Sequence, residues 1–293
     1  MNLLVWWLAC LLWSSTFLFI KVGLADIPPF TFASLRLLIA LGLLVPLSVR
    51  AGEWPRTARY DVAVVAAAGV LLLGINYALL FWGAQFIPSG LVAIIQSGTP
   101  LLALVFGWAL GSERPTARKL TAVGLGIVGA IIIFGAEASA SGMSAAMGSL
   151  ATFGSSACVA FAYVWLKGRG SQFSPLTITT IQSASGVVPL ACLAAALEGP
   201  PAPAEWSAAA WIALLYLALC ASVLAFWLNY WLLARMEASA MLMMGVAEVP
   251  IAVALAAITL GERLPASTTL GAVCILTAVV VRLRDVGRRT TRG

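Results

Sequence analysis

Apolar residues follow one another along this chain in runs that are long enough to cross a lipid bilayer. About 20 apolar residues in an α-helix cross a bilayer core about 30 Å thick, and the helix pairs its backbone polar groups internally. Ten such runs are separated by polar interruptions, and they cover residues 3–24, 31–49, 61–86, 89–110, 120–134, 148–166, 176–197, 208–233, 238–260 and 268–281. The pattern predicts an all-α membrane protein with about ten transmembrane helices.

Composition agrees with this prediction, and the placement of charge adds an orientation. Of the 293 residues, 62% are hydrophobic and 10% are charged, whereas about a quarter of the residues in a soluble protein are charged. If the amino terminus is cytoplasmic, all 17 basic residues except Lys21, Arg36 and Arg263 lie in cytoplasmic segments. The positive-inside rule thus predicts a multi-pass protein of the cell (inner) membrane with both termini in the cytoplasm. This asymmetry accounts for the net charge of +6, and we expect no nucleic-acid partner.

The two halves of the sequence repeat one pattern. Pro100 and Gly111 in the first half align with Pro250 and Gly261 in the second. We assign a first repeat to residues 1–137, a second to residues 147–283 and a basic cytoplasmic tail to residues 284–293. Because each repeat holds five predicted helices, the second enters the membrane from the opposite side, as in transporters that work by alternating access around a central cavity. A duplicated bundle that serves as a channel or a membrane enzyme is the alternative.

Short motifs recur at defined places in these repeats. They are Trp13-Ser14-Ser15-Thr16-Phe17, Arg36 after Pro28-Pro29, Pro100 followed by Gly111-Ser112-Glu113-Arg114-Pro115, and the second copy from Pro250 to Pro265. With these motifs the chain resembles the drug/metabolite transporter superfamily, EamA type, and within it the YddG-type exporters of aromatic and other amino acids. The resemblance implies ten helices, a central cavity between the repeats and export from the cytoplasm. Val159 stands where the first repeat has Trp13, so the two faces of the cavity need not match.

Glu248 is the one acidic residue deep within a predicted span. An ionisable group at such a depth is costly and indicates a functional site. Its carboxylate could bind a substrate ammonium group or carry a coupling proton. A structural ion pair with Arg36, the other deep charge, or a neutral acid held by hydrogen bonds is the alternative.

Two prolines are candidates for helix breaks and gating. Pro100 and Pro250 each lack a backbone N–H, which frees the carbonyl one turn earlier, at Gln96 and Val246. Interrupted helices at matching places in two repeats point to a binding site near the bilayer midplane.

Polar and aromatic side chains within the spans complete the candidate substrate site. Spacings of seven residues place several of them on shared helix faces, and mid-span aromatic rings could stack on an aromatic substrate. The candidate substrate-binding residues are Trp13, Ser15, Asn76, Tyr77, Gln96, Thr99, Tyr163, Asn229, Met244 and Glu248. Any single polar member could instead serve only as a hydrogen bond between helices.

These patterns together predict a secondary transporter that exports aromatic and other neutral amino acids by alternating access. A nucleotide-sugar or cationic-drug transporter of the same superfamily is the main alternative. The chain has no histidine and no paired intramembrane acids, so an enzyme is not expected. We expect no cofactor and no metal. The expected partners are a small-molecule substrate and the lipid bilayer, and we expect the protein to act as a monomer.

Overall fold

A computed structural model describes residues 2–52, 59–111, 116–140, 142–166, 173–225, 227–228, 232, 244–262 and 265–290. Regular structure in these ranges is helical, including a short 3-10 turn at Pro203–Glu205. The spans are α1 (Asn2–Gly23), α2 (Pro29–Arg50), α3 (Arg59–Gly69, Val70–Ile75 and Asn76–Ala84), α4 (Ser89–Ser97 and Thr99–Ala109), α5 (Ala117–Ala140), α6 (Gly142–Leu166), α7 (Pro175–Leu197), α8 (Ala208–Ala218 and Leu219–Leu224), α9 (Met244–Leu260) and α10 (Ala266–Thr290). The predicted all-helical fold class is confirmed over this part of the chain.

The helices have the length and composition of membrane spans. Among the described residues, 6 helical segments are long and apolar enough to cross a membrane, in α1, α2, α3, α4, α6 and α7. Shorter apolar segments lie in α5, α8, α9 and α10. The chain is therefore a multi-pass membrane protein. At the carboxyl end, α10 continues as far as Thr290, through most of the stretch that the sequence assigned to a basic tail.

The helices of the first half contact those of the second half in a reciprocal pattern. The first helix of each half packs against the fourth helix of the other half, so that α1 contacts α9 and α6 contacts α4. In the same way α1 contacts α8, and α6 contacts α3. Helices at equal positions also pair, namely α2 with α7, α4 with α9 and α5 with α10. Most of the core is thus built between the halves rather than within them.

Small residues allow the closest of these approaches. A Cβ atom added at Gly83 of α3 would lie 2.6 Å from the carbonyl oxygen of Gly148 and 2.8 Å from Oγ1 of Thr152, both on α6. The Thr152 hydroxyl itself donates to the Gly148 carbonyl at 2.9 Å. Because lipid offers little hydrophobic drive for helix association, close backbone contact of this kind is what stabilises the crossing.

Two spans contain a π-helical turn, which the sequence pattern did not predict. The turns are Val70–Ile75 in α3 and Leu219–Leu224 in α8. The first residues of the two turns, Val70 and Leu219, are separated by the same distance along the chain as Pro100 and Pro250, to within one residue. Side chains bond to backbone carbonyls here, since Asn76 Nδ2 donates to Leu72 at 2.8 Å and Ser222 Oγ donates to Leu217 at 2.9 Å. Wide turns of this kind are rare and commonly mark functional positions.

Two glutamates cap helices that belong to the other half. Glu198, at the end of α7, accepts hydrogen bonds of 2.7 Å from the backbone N–H groups of Phe30 and Thr31 and from the Thr31 hydroxyl, at the start of α2. Glu262, after α9, accepts from the N–H and hydroxyl of Ser89 and from the N–H of Gly90 at 3.0, 3.0 and 3.2 Å, at the start of α4. Carboxylates are favourable at these helix ends because the unpaired N–H groups carry partial positive charge.

Lys21 and Asp26 complete this set of bonds between helix ends. Lys21 Nζ donates to the carbonyls of Ala84, Gln85 and Ile87 at 2.9, 3.1 and 2.9 Å, which satisfies the end of α3. Asp26 accepts from the Ser207 N–H at 3.0 Å, before α8. Hydrogen bonding to Ser207 lowers the pKa of the exposed Asp26 carboxyl. The predicted topology places all four charged groups at the outer ends of the helices.

Candidate substrate-binding site

Arg36 of α2 is buried without an acidic partner among the described residues. It is 3% exposed, and its Nε donates to the Ser222 hydroxyl of α8 at 3.0 Å. The central guanidinium carbon lies 4.8 Å from the centre of the Tyr77 ring on α3. The two terminal nitrogens form no hydrogen bond with the described part of the chain. Arg36 therefore keeps unused donors inside the protein.

Asn76 adds an unused acceptor next to Tyr77. Its side chain is 6% exposed, and its Nδ2 donates a hydrogen bond to the Leu72 carbonyl. Its Oδ1 is buried and has no hydrogen-bond partner among the described residues. We name Arg36, Asn76, Tyr77 and Ser222 the Arg36 site. Buried polar atoms nearly always form hydrogen bonds, so the unpaired atoms of Arg36 and Asn76 are unusual.

The predicted helix break at Pro100 is present. α4 is divided at Gly98, and the Thr99 hydroxyl donates to the Gln96 carbonyl at 2.6 Å. The side chain of Gln96 is also engaged, because Nε2 donates to Ser155 at 2.7 Å and Oε1 accepts from Ser156 at 2.8 Å. The Gln96 side chain thus connects the break in α4 to α6, and Thr99 bonds across the break within α4.

Pro250 does not produce a matching interruption. It lies inside α9, which runs without a break from Met244 to Leu260. Within the described residues, an interruption is therefore found near Pro100 but not at Pro250. A gating role for Pro250 stays a prediction.

Trp13, Ser15 and Met244 lie where α1 meets α8 and α9. Met244 is buried in a cluster with residues of α1 and α8, and Trp13 is half-buried against the same cluster. The Ser15 and Tyr216 hydroxyls share a hydrogen bond of 2.6 Å. Tyr216 stacks on Phe19 with ring centres 4.0 Å apart. Sequence reasoning missed Tyr216, since it stands in an apolar run without polar neighbours.

Glu248 lies on the same side of the bundle, in α9. It is partly exposed, and it interacts electrostatically with Cys10 of α1. Among the described residues it forms no hydrogen bond, and no ion pair joins it to Arg36, which bonds Ser222 instead. The structural ion pair that the sequence left open is therefore not formed in this conformation. A carboxyl group in such a place needs a cationic partner or a proton.

Tyr163 and Asn229 are the two remaining candidate substrate-binding residues. The Tyr163 side chain of α6 is 56% exposed, away from the clusters described above. Asn229 lies outside the described residues. Ser222 was accessible to sequence reasoning through its spacing of seven residues from Asn229, whereas its bond with Arg36 depends on how α2 and α8 cross.

A multi-pass helical bundle that keeps unpaired polar groups between its two halves is typical of membrane transporters. The sequence pattern of the EamA-like transporter family matches the chain twice, over residues 2–135 and 146–284, and the chain belongs to this family.

Relatives and a solved structure agree with this membership. An uncharacterised transporter of Bacillus subtilis (strain 168), YoaV, is 26% identical over 281 residues, which cover 95% of each chain. A probable amino-acid metabolite efflux pump of Salmonella typhimurium (strain LT2) is 25% identical over 300 residues, which cover 97% of this chain and 96% of the other. A crystal structure at 18% identity matches 100% of this chain and 99% of its own, with a TM-score of 0.66. That likeness concerns the fold alone.

Proposed function

We propose that this chain exports neutral amino acids, including aromatic ones, from the cytoplasm by alternating access between two inverted five-helix repeats. The Salmonella relative is named as an amino-acid metabolite efflux pump, which supports the substrate class. The reciprocal contacts of α1 with α9 and of α6 with α4 support the inverted arrangement. Two similar halves of opposite orientation can form two states of nearly equal free energy, each open to one side.

The observation that carries this proposal is the isolated carboxyl group of Glu248. It lies in a membrane span beside the cluster that includes Trp13 and Met244, and no described residue neutralises it. A substrate with an ammonium group and an apolar or aromatic side chain supplies both the missing cation and a ring for stacking. We assign Glu248 to the substrate ammonium and Trp13 to the side chain.

The purified protein, reconstituted into proteoliposomes, tests the substrate class. Vesicles preloaded with unlabelled phenylalanine or leucine should accumulate the labelled amino acid by counterflow, and uptake should saturate. Counterflow of nucleotide sugars or quaternary ammonium drugs in place of amino acids would refute the substrate assignment. Flux without saturation or counterflow would indicate a channel.

Substitution of Glu248 tests the carboxyl group. Glu248→Gln keeps the shape and removes the charge. The loss of a charged hydrogen bond of about 1.5–3 kcal/mol should weaken substrate binding about tenfold or more. Glu205→Gln is the matched control, because Glu205 is exposed in the 3-10 turn before α8.

The pattern of loss separates the two functional roles of Glu248. If counterflow persists in Glu248→Gln while uptake driven by a pH gradient disappears, the residue carries a coupling proton and does not bind the ammonium group. If rate, affinity and pH profile all match those of the unsubstituted protein, Glu248 has no role in transport.

A further inference from the structure

We propose that the Arg36 site binds the carboxylate group of the exported substrate, which restricts the substrates to compounds with a free carboxylate. This inference rests on the proposed function and assigns its substrate class more narrowly. It separates amino acids from amines and cationic drugs, which share the ammonium group but lack the anion.

The first argument is the charge of Arg36. A guanidinium group keeps its proton even when it is buried, so it needs an anion or several acceptors. Within the described ranges it has one hydroxyl acceptor, Ser222, and one aromatic ring, Tyr77. These partners leave four of its five N–H groups without a protein acceptor there. A carboxylate fits the free end because it can accept two parallel hydrogen bonds from the terminal nitrogens.

The second argument is that the guanidinium group is already oriented. Its Nε is held by Ser222, whose own hydroxyl proton is directed to the Leu217 carbonyl at the π turn of α8. The Tyr77 ring covers one face of the group. Neither contact uses the two terminal nitrogens, and an oriented group loses little conformational freedom when it binds a ligand.

The third argument is the buried acceptor of Asn76. Because Nδ2 donates to the Leu72 carbonyl, the orientation of the amide is fixed and the unpaired atom is Oδ1. An unpaired buried acceptor costs about 1–3 kcal/mol, so the site is incomplete without a donor. An α-amino acid carries such a donor, its ammonium group, next to the carboxylate. An ammonium group has three N–H donors, so it can donate to Asn76 Oδ1 as well as pair with Glu248.

Matched ligands test the inference on the unsubstituted protein. Binding of phenylalanine, phenylalanine methyl ester and phenethylamine is measured in detergent by titration calorimetry, which avoids diffusion of the amines across a bilayer. The ester keeps the ring and the ammonium group and lacks only the anionic charge. We expect phenylalanine to bind at least ten times more tightly than the ester or the amine. Equal affinities would overturn the inference and leave the proposed amino-acid exporter intact, whereas failure of all three ligands to bind would refute the proposed function itself.

Substitutions assign the effect to this site. Arg36→Lys keeps the positive charge but loses the planar fork and the bond from Nε, so the affinity ratio of acid to ester should fall toward one. Ser222→Ala should reduce the ratio partially. Arg50→Lys, at the exposed end of α2, is the matched control and should keep the full ratio.

The ratio of acid affinity to ester affinity distinguishes a binding role of Arg36 from a purely structural one. If Arg36 only supports the fold, Arg36→Lys lowers the melting temperature and weakens acid and ester equally, which would overturn the proposal. If the variant does not fold, the comparison of acid and ester on the unsubstituted protein remains decisive.

Discussion

Removal of the cap that Glu198 provides for α2 should cause a measurable loss of stability. In Glu198→Ala, the N–H groups of Phe30 and Thr31 and the Thr31 hydroxyl lose their shared acceptor. Thr31 is 4% exposed, so water replaces the carboxylate poorly at that residue. An unsatisfied buried donor costs about 1–3 kcal/mol, whereas the exposed donors recover most of their bonds from water. We therefore expect the free energy of unfolding to fall by about 3 kcal/mol. This loss exceeds the value of about 1 kcal/mol for a usual helix cap, because three hydrogen bonds are lost.

The assay is reversible unfolding of the purified protein in mixed micelles by titration with a denaturing detergent. Glu198→Gln keeps one acceptor oxygen and removes the charge, so its loss should be about half as large. Glu205→Ala is the control, since Glu205 is exposed and its backbone N–H bonds Ala202. Surface substitutions usually stay within about 0.5 kcal/mol of the parent. A value in that range for Glu198→Ala would refute the reasoning.

Three further predictions follow from packing and topology. Gly83→Ala should lower the free energy of unfolding by about 1–3 kcal/mol, because the new methyl group meets the backbone of α6; Gly124→Ala, where an added Cβ meets nothing within 4 Å, should not. Gln96→Leu should lower it by about 1 kcal/mol, through the loss of two hydrogen bonds to α6. In a cysteine-free background, an impermeant maleimide added to intact cells should label a cysteine at position 201 but not one at position 52.

Each of these predictions has a contrary outcome. Equal stability of the two alanine variants would show that α3 and α6 can move apart without cost. An unchanged Gln96→Leu would mean that the break in α4 needs no bond to α6. Labelling at position 52 in sealed cells would reverse the predicted orientation, and with it the assignment of the capped helix ends to the outer face.

Much of the fold could be predicted because a bilayer permits few solutions. Backbone groups must pair within each span, so hydropathy and charge placement predicted the succession of spans. The bounds were less accessible, since a helix can continue past the apolar stretch, as α10 does. The π turns were not predicted because no proline or charge marks them. They form through packing against neighbouring helices, which a single segment does not reveal.

The site could be predicted only in part. Glu248 and Arg36 stand out from sequence because charge is rare in a span, and Pro100 because its lost N–H interrupts a helix. The sequence could not tell whether the two charges meet, because that depends on the crossing of helices from different halves. Tyr216 was missed for the same reason, since its role depends on the approach of α1.

The π turns of α3 and α8 also determine which face each helix presents beyond the turn. A π turn accommodates one more residue than an α-helical turn. A deletion that restored a regular helix in one copy would rotate all that follows by about 100°, the angle of one residue in an α-helix. In α3 that rotation would carry Tyr77 away from Arg36, so the π turn sets which face of the helix meets the guanidinium group.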